Sequence, residues 1–124
     1  MEPRLHPTAI ILFAHGARDI RWKEPFIKLQ DIIQTNNPKQ RVELAFLELM
    51  TPDMPTVINQ LVIDGYKEVV VIPVFFGQGG HIRNDFPAIL NECQAQHPQL
   101  KLSSKPAVGE DLGVLEAIAK YCTN

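Results

Sequence analysis

The run Val69-Val70-Val71-Ile72-Pro73-Val74-Phe75-Phe76 constrains this chain more than any other segment. Five of its residues are β-branched and two are phenylalanines, the composition of a strand buried on both faces at the centre of a parallel sheet. With Glu68 in front, a strand is predicted over residues 68–76. Pro73 lacks an N–H, so regular pairing weakens toward its end.

A central parallel strand needs neighbours and helical crossovers, and the rest of the chain carries both patterns. Ala9-Ile10-Ile11-Leu12-Phe13-Ala14 is a second continuous apolar run and a second strand buried on both faces. Residues 41–47 alternate only in part, which suits an edge or half-covered strand. Leu100-Lys101-Leu102-Ser103 is a weaker fourth strand. Between them, Trp22, Phe26, Ile27, Leu29, Ile32 and Ile33 fall on one face of a helix. Pro25 belongs in its first turn, so the helix starts near Lys23 or Glu24, and Asn36-Asn37-Pro38 ends it. Met54, Val57, Ile58, Leu61 and Val62 mark a second helix, opened by Asp53 as cap and stopped by Gly65. A third, with the early proline Pro87, begins at Ile82 or Asn84 and reaches Gln96. A last one covers residues 114–121 behind Asp111.

The order βαβαβαβα predicts an α/β fold: a single open parallel four-stranded sheet with helices on both faces and right-handed crossovers. The strand order 2-1-3-4 makes the first and third strands neighbours. A chain of 124 residues is expected to form one domain over residues 1–124, with residues 1–8 as an N-terminal tail. The net charge of −2 and the lack of any Lys/Arg run argue against nucleic-acid or anionic-membrane partners. Residues 1–7 lack the apolar core of a signal peptide, and the run 9–14 is too short to span a bilayer, so the cytoplasm is expected. Cys93 and Cys122 have no metal-site spacing and read as two reduced thiols, a disulfide being the other option.

Open parallel sheets bind ligands beyond the carboxyl ends of their strands, where the strand order reverses. His15 directly follows the first strand, and His81 closes the loop Gly77-Gln78-Gly79-Gly80 after the third. Neighbouring strands lie about 4.8 Å apart, so side chains at these two ends could converge on one divalent ion, for which neutral imidazole is a common ligand. Taken singly, either histidine could equally be structural. Gly79 and Gly80 would let the backbone approach a flat, bulky ligand, or simply form a mobile turn. Glu48 follows the second strand, placed to assist metal binding or accept a proton, or else to form a surface ion pair. Arg18 and Arg83 are candidates for substrate binding, with Lys105 behind them as ordinary surface charge. His6 and His97 read as bystanders, and Glu43 and Asp53 rank below Glu48. No GxGxxG after the first strand, GxxxxGK[ST], GxSxG or HExxH occurs, so nucleotide, serine-hydrolase and zincin readings fail.

His15-Gly16-Ala17-Arg18-Asp19, Phe46-Leu47-Glu48-Leu49 and Gly79-Gly80-His81, followed by Asp85 and Pro87, together resemble the small class II chelatases of the CbiX type. The resemblance runs from about Ile10 to Tyr121. It implies a chelatase-like, flavodoxin-related sheet and insertion of cobalt, iron or nickel into sirohydrochlorin, for cobalamin, sirohaem or a nickel tetrapyrrole. It implies no need for ATP and no tightly bound cofactor, the divalent metal being a substrate. It also implies a homodimer that completes the cleft. On this resemblance His15 and His81 match the metal-handling histidines, and Glu48 the carboxylate that joins them in longer relatives. Ala17 stands where many members carry Ser or Thr, and Phe76-Gly77 with Gln78 departs from their more apolar loop.

Insertion requires a desolvated metal and removal of two inner N–H protons. His15 and His81 would deliver the ion, and one of them or Glu48 would take a proton. The rival readings are a carrier that binds metal or tetrapyrrole without turnover, a flavodoxin-like interaction domain, and an isolated lobe of a larger enzyme.

Overall fold

The computed structural model describes residues 7–77, 79 and 82–124, with Ile82 described by its backbone alone. His81, Gly80 and Gln78, and the tail 1–6 with His6, lie outside the described residues. Four strands, β1 (Thr8–Ala14), β2 (Arg41–Phe46), β3 (Glu68–Pro73) and β4 (Lys101–Ser104), alternate with four helices, α1 (Glu24–Asn36), α2 (Met54–Ile63), α3 (Ile82–Gln96) and α4 (Leu112–Thr123). Short 3-10 turns at Ile20–Lys23 and Val108–Glu110 precede α1 and α4. The sheet is parallel throughout, in the order β2-β1-β3-β4.

Both apolar runs became central strands; β1 is covered on both faces, whereas β3 is buried on one face and only half-buried on the other, contrary to the sequence expectation. Along β1, Ile11 and Phe13 enter one core with Val69 and Val71 of β3, while Leu12 and Ala14 enter a second with Val42, Leu44 and Phe46 of β2. The first core is closed by α2 and α3, through Met54, Val57, Ile58, Leu61, Phe86 and Cys93. Phe86 stacks on Phe13 at 5.1 Å between ring centroids. The second core is closed by α1, whose Phe26, Leu29 and Ile33 lie over it with Trp22. The register pairs Phe13 with Ala45 on one side and Pro73 on the other, so β1, β2 and β3 end level.

Asp53 caps α2 by accepting the Thr56 N–H at 3.0 Å, and Gly65 leaves that helix at φ +94°. Pro25 sits in the first turn of α1, as its missing donor requires. Both cysteines are free, Cys93 buried and Cys122 exposed, and burial pushes the Cys93 thiol up from its ordinary range. No helix among the described residues is long and apolar enough to cross a membrane.

Two elements differ from the sequence reading by more than one residue at an end. The third strand stops at Pro73 instead of Phe76. Val74 still donates to the Phe13 carbonyl at 2.8 Å, but the chain then bends, and Phe76 is 68% exposed. The last helix is longer than residues 114–121 at both ends, because Asp111 caps it at Leu112 by accepting the Val114 N–H at 3.1 Å.

Candidate active site at the carboxyl edge of the sheet

Three loops leave the level ends of β1, β2 and β3 side by side, and backbone hydrogen bonds join them beyond the strands. The Leu47 N–H donates to the Ala14 carbonyl at 2.9 Å, and the Glu48 N–H to the His15 carbonyl at 3.0 Å. The loop over residues 47–52 is closed at its base by the Phe46 N–H, which donates to the Pro52 carbonyl at 2.9 Å. Gly16 adopts φ +97°, and a Cβ there would overlap the Glu48 carbonyl oxygen. Only glycine permits this approach.

The imidazole of His15 is half-buried and leans on Phe75, with centroids 5.4 Å apart and planes tilted 55°. Phe75 is held from behind. The Gly109 N–H donates to the Phe75 carbonyl at 3.1 Å, and a Cβ on Gly109 would overlap the Phe76 backbone. The turn at Val108–Glu110 therefore braces the loop against which His15 rests.

Arg18 follows in the same loop as His15, exposed and without an ion-pair partner among the described residues. It lines an open groove of about 450 Å³ with Ile20, Lys23 and Leu49. Lys23 is fixed there, its Nζ donating to the Thr51 carbonyl at 3.2 Å and lying 5.5 Å from the centroid of the Phe46 ring. Asp19 is occupied by Arg21, whose side chain and backbone N–H hold its carboxyl below the usual carboxylate range. Beside these two cations the groove presents apolar side chains: Ile20 is 72% exposed, and Leu49, at φ +66°, is 57% exposed.

Of the predicted site residues, the structure thus brings His15, Glu48 and Arg18 to one edge. Glu48 is exposed, and neither its carboxylate nor the His15 ring has a hydrogen-bond or ion-pair partner among the described residues. Gly79 is exposed, with nothing among the described residues within 4 Å of where a Cβ would stand. Arg83 is exposed in the first turn of α3. Among the described residues, no three His, Cys, Asp or Glu side chains form a group that could hold a metal ion. Gly80 and His81 lie outside that set. Sequence reasoning missed the roles of Gly16, Lys23 and Gly109. A glycine directly after a buried strand was the available signal for Gly16; Gly109 carried none, because its contact is remote in sequence.

The CbiX family model matches residues 9–123. A sirohydrochlorin cobaltochelatase from Methanococcus aeolicus is 34% identical over 88 residues, covering 69% of this chain and 62% of that protein. One from Methanocaldococcus jannaschii is 30% identical over 72% of this chain and 62% of its own length. The matches therefore span about three-fifths of these relatives. Among solved structures, the CbiX protein of Marinobacter aquaeolei superposes with a TM-score of 0.82 at 31% identity, covering 94% of this chain and 95% of that one. The sirohydrochlorin chelatase SirB of Bacillus subtilis, solved with cobalt, shares the fold at a TM-score of 0.79 and 21% identity, this chain covering 50% of it. This chain belongs to the CbiX family.

Proposed function

We propose that the chain is a chelatase that inserts a divalent metal, Co2+ or Fe2+ with Ni2+ as third candidate, into sirohydrochlorin without ATP. The metal is a substrate, and no tightly bound cofactor takes part. Relatives at 30% identity or more that bear the name sirohydrochlorin cobaltochelatase support the reaction class. The observation that carries the reading is the pairing of His15 with Glu48. Their backbones are locked together at the carboxyl edge, while both functional groups stay without hydrogen-bond or ion-pair partners among the described residues. A neutral imidazole is a ligand for first-row divalent ions, and a nearby carboxylate can take a pyrrole proton. In this reading His15 and His81 hold the ion and Glu48 accepts a proton. Gly79 and Gly80 let the macrocycle come close, and Arg18 and Arg83 meet its carboxylates.

We take the working unit to be a cytoplasmic homodimer of single-domain chains. A one-sided edge offers one wall to a flat ring, and two-fold symmetry supplies the second. The test is anaerobic incubation of the purified protein with sirohydrochlorin and each metal in turn, followed by tetrapyrrole absorption. Many turnovers above the no-enzyme rate are expected. A single stoichiometric change, with tight binding and no turnover, would replace the chelatase with a carrier.

A further inference from the structure

The groove that holds Arg18 carries positive charge that its own walls leave uncompensated. Arg18 and Lys23 both line it, and no carboxylate among the described residues does. Asp19, the acid nearest in sequence, is held through both oxygens by Arg21. The other ion pairs among the described residues join Arg41 to Glu43 and Asp64, and Lys101 to Glu68. Arg41 and Lys101 are the first residues of β2 and β4, so these pairs lie toward the amino ends of the strands, away from the site.

Lys23 differs from an ordinary surface lysine in being already placed. Its Nζ donates to the Thr51 carbonyl at 3.2 Å and lies 5.5 Å from the centroid of the Phe46 ring. An ammonium has three N–H donors and no acceptor, so donors remain after Thr51 is served. Fixing a free lysine costs about 1.5–2 kcal/mol of rotamer entropy. Here folding has met much of that cost before any anion arrives, which is the meaning of preorganisation. Next to the two cations stand exposed Ile20 and Leu49 and half-buried Met50. A small inorganic anion would meet the cations and leave these side chains in water. A carboxylate arm carried on an apolar ring would use both.

We propose that Lys23, together with Arg18, binds a carboxylate arm on the rim of the tetrapyrrole, which makes Lys23 a specificity-determining residue for the substrate. The proposal rests on the chelatase reading above and deepens it. Lys23 grips Thr51, near the far end of the loop over residues 47–52, and Glu48 stands near its start. An arm anchored at Lys23 is therefore held against the same loop that carries the proposed proton acceptor.

The test uses Trp22, the only tryptophan of the chain and the neighbour of Lys23, in ring contact with Phe26 and Phe46. Bound tetrapyrrole quenches its emission, so sirohydrochlorin is titrated without metal, and turnover is measured separately. Lys23→Met keeps the apolar stem and removes the charge. Its Kd is expected to rise about tenfold at low salt, the loss of one charge-assisted hydrogen bond. The gap to wild type should narrow as salt is raised, and kcat should stay within about twofold. Lys23→Arg should recover most of the affinity. Lys28→Met, on the exposed surface of α1, removes the same charge elsewhere and should bind as wild type does. Lys23→Gln repeats the measurement should the methionine variant misfold.

An unchanged Kd in Lys23→Met overturns the proposal, as does an equal loss in Lys28→Met, which would assign the effect to net charge. A fall in kcat at unchanged Kd also overturns it, because Lys23 would then serve only to tie the loop. These three results leave the chelatase reading standing. Charge-dependent binding at Lys23 without metal insertion by the wild type keeps the arm site and removes the chelatase. No binding of sirohydrochlorin by the wild type overturns both.

Discussion

The Glu48 N–H donates to the His15 carbonyl at 3.0 Å, and Gly16 passes so close to the Glu48 carbonyl that no side chain fits between them. One contact thus sets the spacing of the loops that carry the imidazole and the carboxylate. Gly16→Ala should strain a backbone at φ +97° and push these loops apart. The expected loss is about 2 kcal/mol or more in urea unfolding. Metal insertion should fall further than the folded fraction does. Wild-type stability and turnover in this variant would show that the two loops are not coupled.

His15→Ala removes the ring but leaves the backbone bond to Glu48 intact. The fold should survive with a loss of about 1 kcal/mol from the missing contact with Phe75. Insertion should drop at least 100-fold, and His81→Ala should do the same. His97→Ala, at the far end of the sheet where its N–H donates to the Cys93 carbonyl at 3.1 Å, is the control that should keep turnover. Wild-type turnover in both histidine variants would remove histidine from the ligand set.

The sheet was legible in the sequence because β1 and β3 are unbroken apolar runs, the pattern of central strands in a parallel sheet. The carboxyl edge followed from the parallel order, and with it the placement of His15 and Glu48. The same logic overran at Phe75 and Phe76. Hydrophobicity alone cannot separate a strand from an apolar loop tip, and Pro73 was the local sign that pairing ends there. Gly16 and Gly109 were illegible for another reason: each is required by a backbone remote in sequence, that of Glu48 or of Phe76.

Arg18 lines the groove beside His15 without an ion-pair partner among the described residues, so its charge is available to an anionic substrate. Arg18→Gln should raise KM for sirohydrochlorin several-fold and leave kcat within about twofold, as expected for binding energy shared by ground and transition states. The effect should shrink as salt is raised, since an exposed pair is screened over about 10 Å at 0.1 M. Stability should not change, because the side chain is exposed and has no ion-pair partner among the described residues. Equal KM at low salt would move the carboxylate contacts elsewhere, with Lys23 the next candidate.

Asp53 sets the start of α2 and hence the far end of the loop that carries Glu48. Hydrogen bonds from the Thr56 side chain and then its backbone N–H lower the Asp53 carboxyl from its ordinary value. A group lowered in the folded state contributes stability above the unfolded carboxyl range, near pH 4, and loses it as pH falls through the lower folded value. Asp53→Ala should therefore lose about 1 kcal/mol at pH 7, with the gap to wild type closing as the pH falls toward 2. Asp53→Asn keeps a capping oxygen that does not titrate. It should stay near wild type at pH 7 and show a flatter decline in acid. Thermal unfolding of the three proteins across that range decides the matter. Parallel curves for wild type and Asp53→Asn would mean that the acid sensitivity belongs to other carboxylates.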